Sequence, residues 1–444
     1  MRSESPNTPR VGRRSRRRSL RPAAPVAVLA ALTMAVSGCG GGGSDDGTVQ
    51  LRFSWWGADE RHAVTQEVIE RFEAKHPDIA IQPDYTDWDS YWDRLATSSA
   101  AGDAPDIIQH DQQYLRDYAG RNALLDLSEY GDQLDLSEID ELVLPTGELE
   151  GGQFAVPSGV NAFALVADPE AFEEAGVDMP DDETWTWDDY VDTTIEISEG
   201  TDGEVVGAQN YGFNTASFEI FARQHGESLY TEDGTVGYSD STLAEWWEYS
   251  AEAREGGGEH SAAESIEINA GGPDQSVVAT NSGAMAGFWS NQVGDLSETA
   301  DRGLELLRWP GESENEQPGT FFKPAMYYTI SSDTDHPEEA ATFVDFLVND
   351  SEAAELILAD RGLPANLTLR DEIKDELSEG DAKGAEFLEE IADDVQPADP
   401  APPQGAGEVV DIVKRVNEDV LHGSITPEEA AETFTEEVKA TIGG

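Results

Sequence analysis

Aromatic and acidic side chains gather at three points where strands are expected to end: Trp55-Trp56-Gly57, Tyr85 to Trp88, and Gln109-His110-Asp111. This combination suits a sugar. A pyranose ring offers apolar C–H faces that an aromatic plane covers, and hydroxyls that carboxylates, amides and guanidinium groups bond. Trp55, Trp56, Trp88, Trp289 and Tyr327 are candidate planes. Trp55 shares a strand face with Leu51 and Phe53, so core and site are both open to it. Trp56 points the other way beside Gly57 and is expected to be the exposed platform. Trp185, Trp187, Trp246 and Trp247 fall in helical or pre-helical contexts and read as structural.

Recognised catalytic patterns are missing from the sequence. It holds no GxSxG elbow, no HExxH helix, no P-loop, no GxGxxG after a strand and no EF-hand loop. The seven histidines (His62, His76, His110, His225, His260, His336, His422) are scattered singly rather than at metal-ligand spacing, so no metal and no cofactor is expected. A glycosidase needs only two well-placed carboxylates, which keeps a secreted lipoprotein glycoside hydrolase as the alternative to a binding protein. Carboxylates alone cannot decide this, because 91 Asp and Glu stand against 27 Lys and Arg, for a net charge of −64. Such a surface repels nucleic acid and anionic lipid, and reads as a solvated coat suited to saline surroundings.

Cys39 is the sole cysteine, so an internal disulfide and a cysteine zinc site are both excluded. Its surroundings give it a meaning. An Arg-rich stretch (Arg13 to Arg21) and an apolar stretch (Ala23 to Val36) precede it, with the layout of an export signal. Val36-Ser37-Gly38-Cys39 is similar to a bacterial lipobox, and the Gly-rich segment that follows reads as a flexible tether. Ser15 to Arg21 also resembles a twin-arginine signal, leaving the export route open.

The elements that would carry the candidate residues follow from periodicity. Val49 to Trp55 alternates as a strand; Val64, Val68, Ile69 and Phe72 recur at helical spacing until His76-Pro77; Ile79 and Ile81 open a second strand. Tyr91 to Leu95 lies in a second helix, and Asp106-Ile107-Ile108 forms a third strand, followed by a helix through Leu115 and Tyr118. This β-α-β-α-β order argues for a parallel sheet, with ligands beyond its carboxyl edge. Further strands are expected at Phe154 to Val156, Phe163 to Val166, Tyr211 to Phe213 and Ala284 to Phe288. Helices are expected at Trp187 to Ile197, Phe218 to His225, Leu243 to Arg254, Pro337 to Val348, Ala353 to Leu358 and Val409 to Leu421.

Taken in order, "SWWG" (Ser54 to Gly57), "RFEAKHPDIAIQ" (Arg71 to Gln82), "DWDSYWDRL" (Asp87 to Leu95), "AAGDAPDII" (Ala100 to Ile108), "GGQFAVPSGVNAFAL" (Gly151 to Leu165), "ETWTWDDY" (Glu183 to Tyr190), "NSGAMAGFW" (Asn281 to Trp289) and the stretch His336 to Asn366 resemble the extracellular sugar-binding proteins of ABC importers, the maltodextrin-binding-protein-like family. The resemblance implies an α/β, two-lobed periplasmic-binding-protein-like fold with a hinge and an interlobe cleft. Its expected division is an export signal at 1–38, a lipidated Cys39 and tether at 39–47, lobe 1 at 48–157 plus 310–363, and lobe 2 at 158–309 plus 364–444. Crossings are then expected near Pro157, Trp309-Pro310 and Leu363-Pro364. By the same resemblance Asp111 and Asn161 accept or donate to sugar hydroxyls, Trp289 stacks on the ring, and Glu219 and Tyr327 are further contacts. Arg361 is either a sugar contact or a hinge salt bridge. The implied role is non-enzymatic: a monomer captures a mono- or oligosaccharide and passes it to permease subunits with a separate ATPase, lipid-anchored at the extracytoplasmic face of the cell membrane. A peptide or an anion is a third ligand class, and the scarcity of basic residues disfavours the anion. Cys39→Ser is expected to move the protein from the membrane fraction to the medium or to unprocessed precursor; unchanged processing and membrane attachment would refute the lipoprotein reading.

Overall fold

The computed structural model describes residues 48–443, except 232 and 400. The expected export signal, Cys39 and the tether to residue 47 lie outside the described residues. The first half of the fold is the parallel β-α-β-α-β unit expected from periodicity: β1 (Val49–Trp56), α1 (Asp59–Lys75), β2 (Ile79–Thr86), α2 (Trp88–Ala100), β3 (Ile107–His110) and α3 (Gln112–Ala119). Asp87 and Asp111 start α2 and α3 by accepting the backbone N–H groups of Ser90 and Gln113. A short hairpin, β4 (Glu148–Leu149) with β5 (Gly152–Gln153), precedes β6 (Val156–Pro157). The expected strand at Phe154 to Val156 is therefore split, with residues 154 and 155 between the two pieces.

The long strand β7 (Gly159–Ala167) carries the chain into the second half. There follow α4 (Pro169–Ala175), α5 (Trp187–Gly200), β8 (Val206–Ala208), α6 (Thr215–Gln224), α7 (Asp240–Glu255), α8 (Ala262–Gly271), β9 (Gly283–Trp289), α9 (Val293–Ala300) and β10 (Glu305–Leu307). Thr186 and Asp189 close a reciprocal capping box that starts α5. The strand expected at Tyr211 to Phe213 lies instead at Val206–Ala208. Tyr211 packs with Trp187, Trp246 and Trp309, as core rather than strand. The four tryptophans read as structural (Trp185, Trp187, Trp246 and Trp247) are all buried.

Return to the first half is made from β11 (Phe322–Pro324) to β12 (Tyr327–Ile330), later than the expected crossing at Trp309-Pro310. The reason is packing beyond Trp309: buried Glu312 accepts from the Gln224 side chain of α6 at 2.8 Å and from the Gly319 and Thr320 N–H groups, which keeps this stretch on the second half. Helices α10 (Pro337–Asn349) and α11 (Ser351–Ile357) then cover α1. After β13 (Leu363–Pro364), α12 (Leu367–Glu372) stays with the first half through the ion pair of Arg370 with Asp140 at 3.2 Å. The last change of side thus comes after α12, beyond the expected Leu363-Pro364. The helices α13 (Glu379–Ile391), α14 (Val409–Leu421) and α15 (Pro427–Ile442) pack on α9 and α7 of the second half.

Two sheets result, in the orders β2-β1-β3-β12-β6 and β10-β7-β9-β8. Strands β11 and β13 also belong to the second sheet, both pairing with the start of β7 where the chain passes between the sheets: Val160 lies opposite Pro324 and Leu363, and Gly159 opposite Pro364. Glycine is required there by close approach. A Cβ on Gly159 would stand 2.4 Å from the carbonyl oxygen of Arg361 and 2.7 Å from those of Gly362 and Leu363. Gly159→Ala is expected to cost about 1–3 kcal/mol of stability, the usual penalty of overpacking, read as a lower denaturant midpoint; an unchanged midpoint would show that the three backbones can separate freely.

Candidate functional site

Between the two halves lies a cavity of about 300 Å³. The first half contributes Trp88 from the start of α2 and Asp111, Gln112 and Gln113 from the start of α3. The second half contributes Asn214, Thr215 and Ala216 from the start of α6, together with Glu219, Trp289 and Lys323. The positive ends of α3 and α6 therefore both border the cavity, which favours oxygen-rich ligands. Another part of the wall is the segment with Ala398, Asp399 and Pro402. That segment is fastened from both sides: Arg223 pairs with Asp399 at 2.7 Å and bonds the carbonyl of Pro397, while Arg116 bonds the carbonyls of Ala401 and Pro402.

Four expected site residues, Trp88, Asp111, Glu219 and Trp289, line this one cavity. Asn161 lines an adjoining cavity of about 260 Å³ with Lys323, Arg61 and Asp360, and Trp289 borders both. The β7 register explains the neighbourhood: Lys323 is opposite Asn161, and Trp289 is opposite Phe163 two residues on. The Lys323 ammonium stands 5.4 Å from the centre of the Trp289 ring.

Two expectations are corrected, and the choice left open for Arg361 falls to its second alternative, the hinge salt bridge. Trp56 is not the exposed platform, being 7% exposed and covered by α2. Its ring meets Trp88, Tyr91 and Trp92 at centroid distances of 4.9, 5.2 and 5.5 Å. A strand of a parallel sheet is covered on both faces, so pointing away from Trp55 does not lead to solvent. The exposed ring is Trp88, at 37%. Tyr327 is fully buried, and its hydroxyl donates to Thr146 Oγ1 at 2.8 Å. Arg361 is also buried. Its guanidinium donates to Gln109 Oε1 at 3.0 Å, Asp360 Oδ2 at 2.9 Å and Thr65 Oγ1 at 2.6 Å, so it is an internal brace at the hinge rather than a ligand contact. Sequence reasoning missed Lys323, Asn214 and Asp399. The traces they leave in sequence are slight: an isolated Phe-Lys-Pro, an asparagine before a helix and a Pro-rich stretch.

Glu219 has an unusual setting. It accepts no hydrogen bond from the described residues, and burial, then the neighbouring Asp399 charge, pushes its carboxyl up to about 8 against the pull of Arg223 and Lys323. Burial raises the Asp399 carboxyl as well, against the pull of Arg223. Among the described residues, no group of three or more metal-ligating side chains is placed to hold a metal ion, and no helix is long and apolar enough to cross a membrane.

Residues 57–354 match the family model for bacterial extracellular solute-binding proteins. The chain belongs to this family, and its two-sheet architecture is the two-lobed form of it. Over 162 residues it is 32% identical to an uncharacterised lipoprotein in the oleD 5′ region of Streptomyces antibioticus, covering 36% of each chain. Over 191 residues it is 27% identical to the lactose-binding protein of Rhizobium radiobacter, covering 41% of this chain and 43% of that one. These matches span less than half the length of either relative. In structure it is similar to an extracellular solute-binding protein, family 1, of Alicyclobacillus acidocaldarius, with a TM-score of 0.74 and 27% identity over 89% of this chain and 99% of the other.

A raised carboxyl makes a signed prediction. Glu219 ionises freely when unfolded but resists it when folded, so its cost to stability is absent below about pH 4.5 and complete above about pH 8. Glu219→Gln removes that cost. Its melting temperature relative to the parent protein is expected to rise between those two pH values and level off beyond; a pH-independent difference would place Glu219 in a solvated setting.

Proposed function

We propose that this protein captures a sugar or oligosaccharide in the cleft between its lobes and delivers it to the permease of an ABC importer whose ATPase is a separate subunit. In this reading it acts as a monomer without catalysing a reaction, held at the extracytoplasmic face of the cell membrane by lipid on Cys39. The observation that carries the proposal is the meeting of two part-exposed indoles, Trp88 and Trp289, with Asp111, Glu219 and Lys323 in one cavity walled by both lobes. Indoles cover the ring faces and the polar groups bond the hydroxyls. A lactose-binding relative and a lipoprotein relative support the sugar and the anchor.

Because the cavity takes walls from both lobes, a ligand that touches both favours the closed arrangement, and the closed form is what a permease would select. Trp289→Ala is expected to weaken sugar binding by about 2 kcal/mol, about thirtyfold in affinity, with near-normal melting. Trp56→Ala is expected instead to lose about 3–5 kcal/mol of folding stability, as buried tryptophans do. A sugar panel read by thermal shift finds the ligand, calorimetry gives the affinities, and recovery of the sugar intact separates capture from hydrolysis. Stabilisation by no sugar, or recovery of cleaved products, would overturn the proposal.

A further inference from the structure

Trp289 borders three cavities rather than one. Besides the main cavity (about 300 Å³) and the Asn161 cavity (about 260 Å³), a third of about 220 Å³ opens beside it, lined by Gln209, Asn210 and Asn269. Each pair of cavities also shares a second wall residue. Lys323 joins the main and Asn161 cavities, Asn214 joins the main and third, and Gln292 joins the Asn161 cavity to the third. The three spaces are therefore mutual neighbours around one indole, not a row.

Every compartment also holds hydrogen-bonding capacity that the protein leaves unused. Glu219 accepts nothing in the main cavity, and the Asn161 side chain makes no hydrogen bond among the described residues. In the third, Asn269 makes none, and Gln209 uses only its oxygen, accepting the Val277 N–H at 3.1 Å. All four side chains are half-buried, so each stays open to a ligand or to water from within its compartment. Small-molecule sites run from about 300 to 1,000 Å³. Each compartment alone sits at or under the lower bound, with room for one pyranose ring, whereas the three together fall well inside the range.

Resting on the reading that this cleft takes a sugar, we infer that the ligand is a bent or branched oligosaccharide of three or more rings, folded around the Trp289 indole with a ring in each compartment. A straight chain runs through two compartments and leaves the third unfilled. A chain whose linkage turns it, or a branch point seated on the indole, reaches all three.

Calorimetric titration of the purified protein tests this with glucose, with maltose and maltotriose, isomaltose and isomaltotriose, and nigerose and nigerotriose as turning series, and with cellobiose and cellotriose as the straight series. At least one turning trisaccharide is expected to bind about tenfold or more tighter than its disaccharide, as a third seated ring adds contacts, while cellotriose gains nothing over cellobiose. Asn269→Phe, which fills the third compartment, is expected to bring that trisaccharide-to-disaccharide ratio close to one. Asn269→Ala, which only removes the amide, is expected to lower it less, and serves if the larger change prevents folding. Glucose binding as tightly as every trisaccharide, cellotriose binding best, or an unchanged ratio in both variants would each overturn the inference while the sugar-binding proposal stands. Binding of no sugar at all would overturn both.

Discussion

Three backbones meet at Gly159 with no room for a side chain, and the cleft depends on that contact. There β7 enters between β11 and β13, and a Cβ on Gly159 would run into the Arg361 carbonyl. The same Arg361 sends its guanidinium the other way, to Gln109 on β3 and Thr65 on α1, and Gln109 in turn donates to the Trp56 carbonyl at the end of β1. A single buried residue thereby ties the hinge backbone to the strand ends that form the cleft floor. Asn161 and Lys323 face the ligand space from the hinge strands themselves, opposite one another in register. Contact with a ligand and rearrangement of the hinge are consequently events in one piece of backbone, as closure around a ligand requires.

Support for the exposed ring has a similar logic. An indole presented to solvent keeps its orientation only if something fixes its other edge. Trp88 leans on Trp56 and Trp92, Trp92 lies 3.9 Å from Tyr114, and Tyr91 is anchored through its hydroxyl to the Gln109 carbonyl at 2.7 Å. Trp56 is thus a support for the platform rather than the platform.

The parts of this arrangement that were legible in the sequence are those set by local pattern. Alternation and helical spacing located β1 to β3 and the helices between them, because each element's own residues dictate its period. Asp111 was singled out because the end of a buried parallel strand lies at the sheet's carboxyl edge, and its expected role came from the family resemblance. Trp56 and Tyr327 were misplaced, and Arg361 was left between two roles, for one shared reason. Being at a strand end or hinge fixes a residue's position along the chain, but whether its side chain meets water depends on what packs over it from elsewhere: α2 over Trp56, Thr146 over Tyr327, Gln109 and Thr65 around Arg361. Lys323 and the Asp399 segment depend on pairings across 162 and 176 residues, which no local pattern carries. The two later crossings lie elsewhere for the same reason, since Glu312 and Arg370 declare their side only through distant partners.

The charge balance then takes on a structural meaning. In a chain of net charge −64 basic residues are scarce, and around the cleft the arginines are used as staples on irregular backbone. Arg61 grips both the carboxylate and the carbonyl of Asp360, Arg116 the carbonyls of Ala401 and Pro402, and Arg223 the Asp399 carboxylate together with the Pro397 carbonyl. A lysine would serve poorly in these places. The guanidinium fork reaches several acceptors at fixed angles and never loses its proton, whereas an ammonium is a single mobile point. Lys323 is the exception that fits the rule. Among the described residues its ammonium holds a 3.4 Å contact to the Pro324 carbonyl and the face of Trp289 and no ion pair, which lets it turn toward a ligand. The cleft thus separates its cations by task, with arginines fixing the walls and a lysine left adaptable at the junction of the cavities.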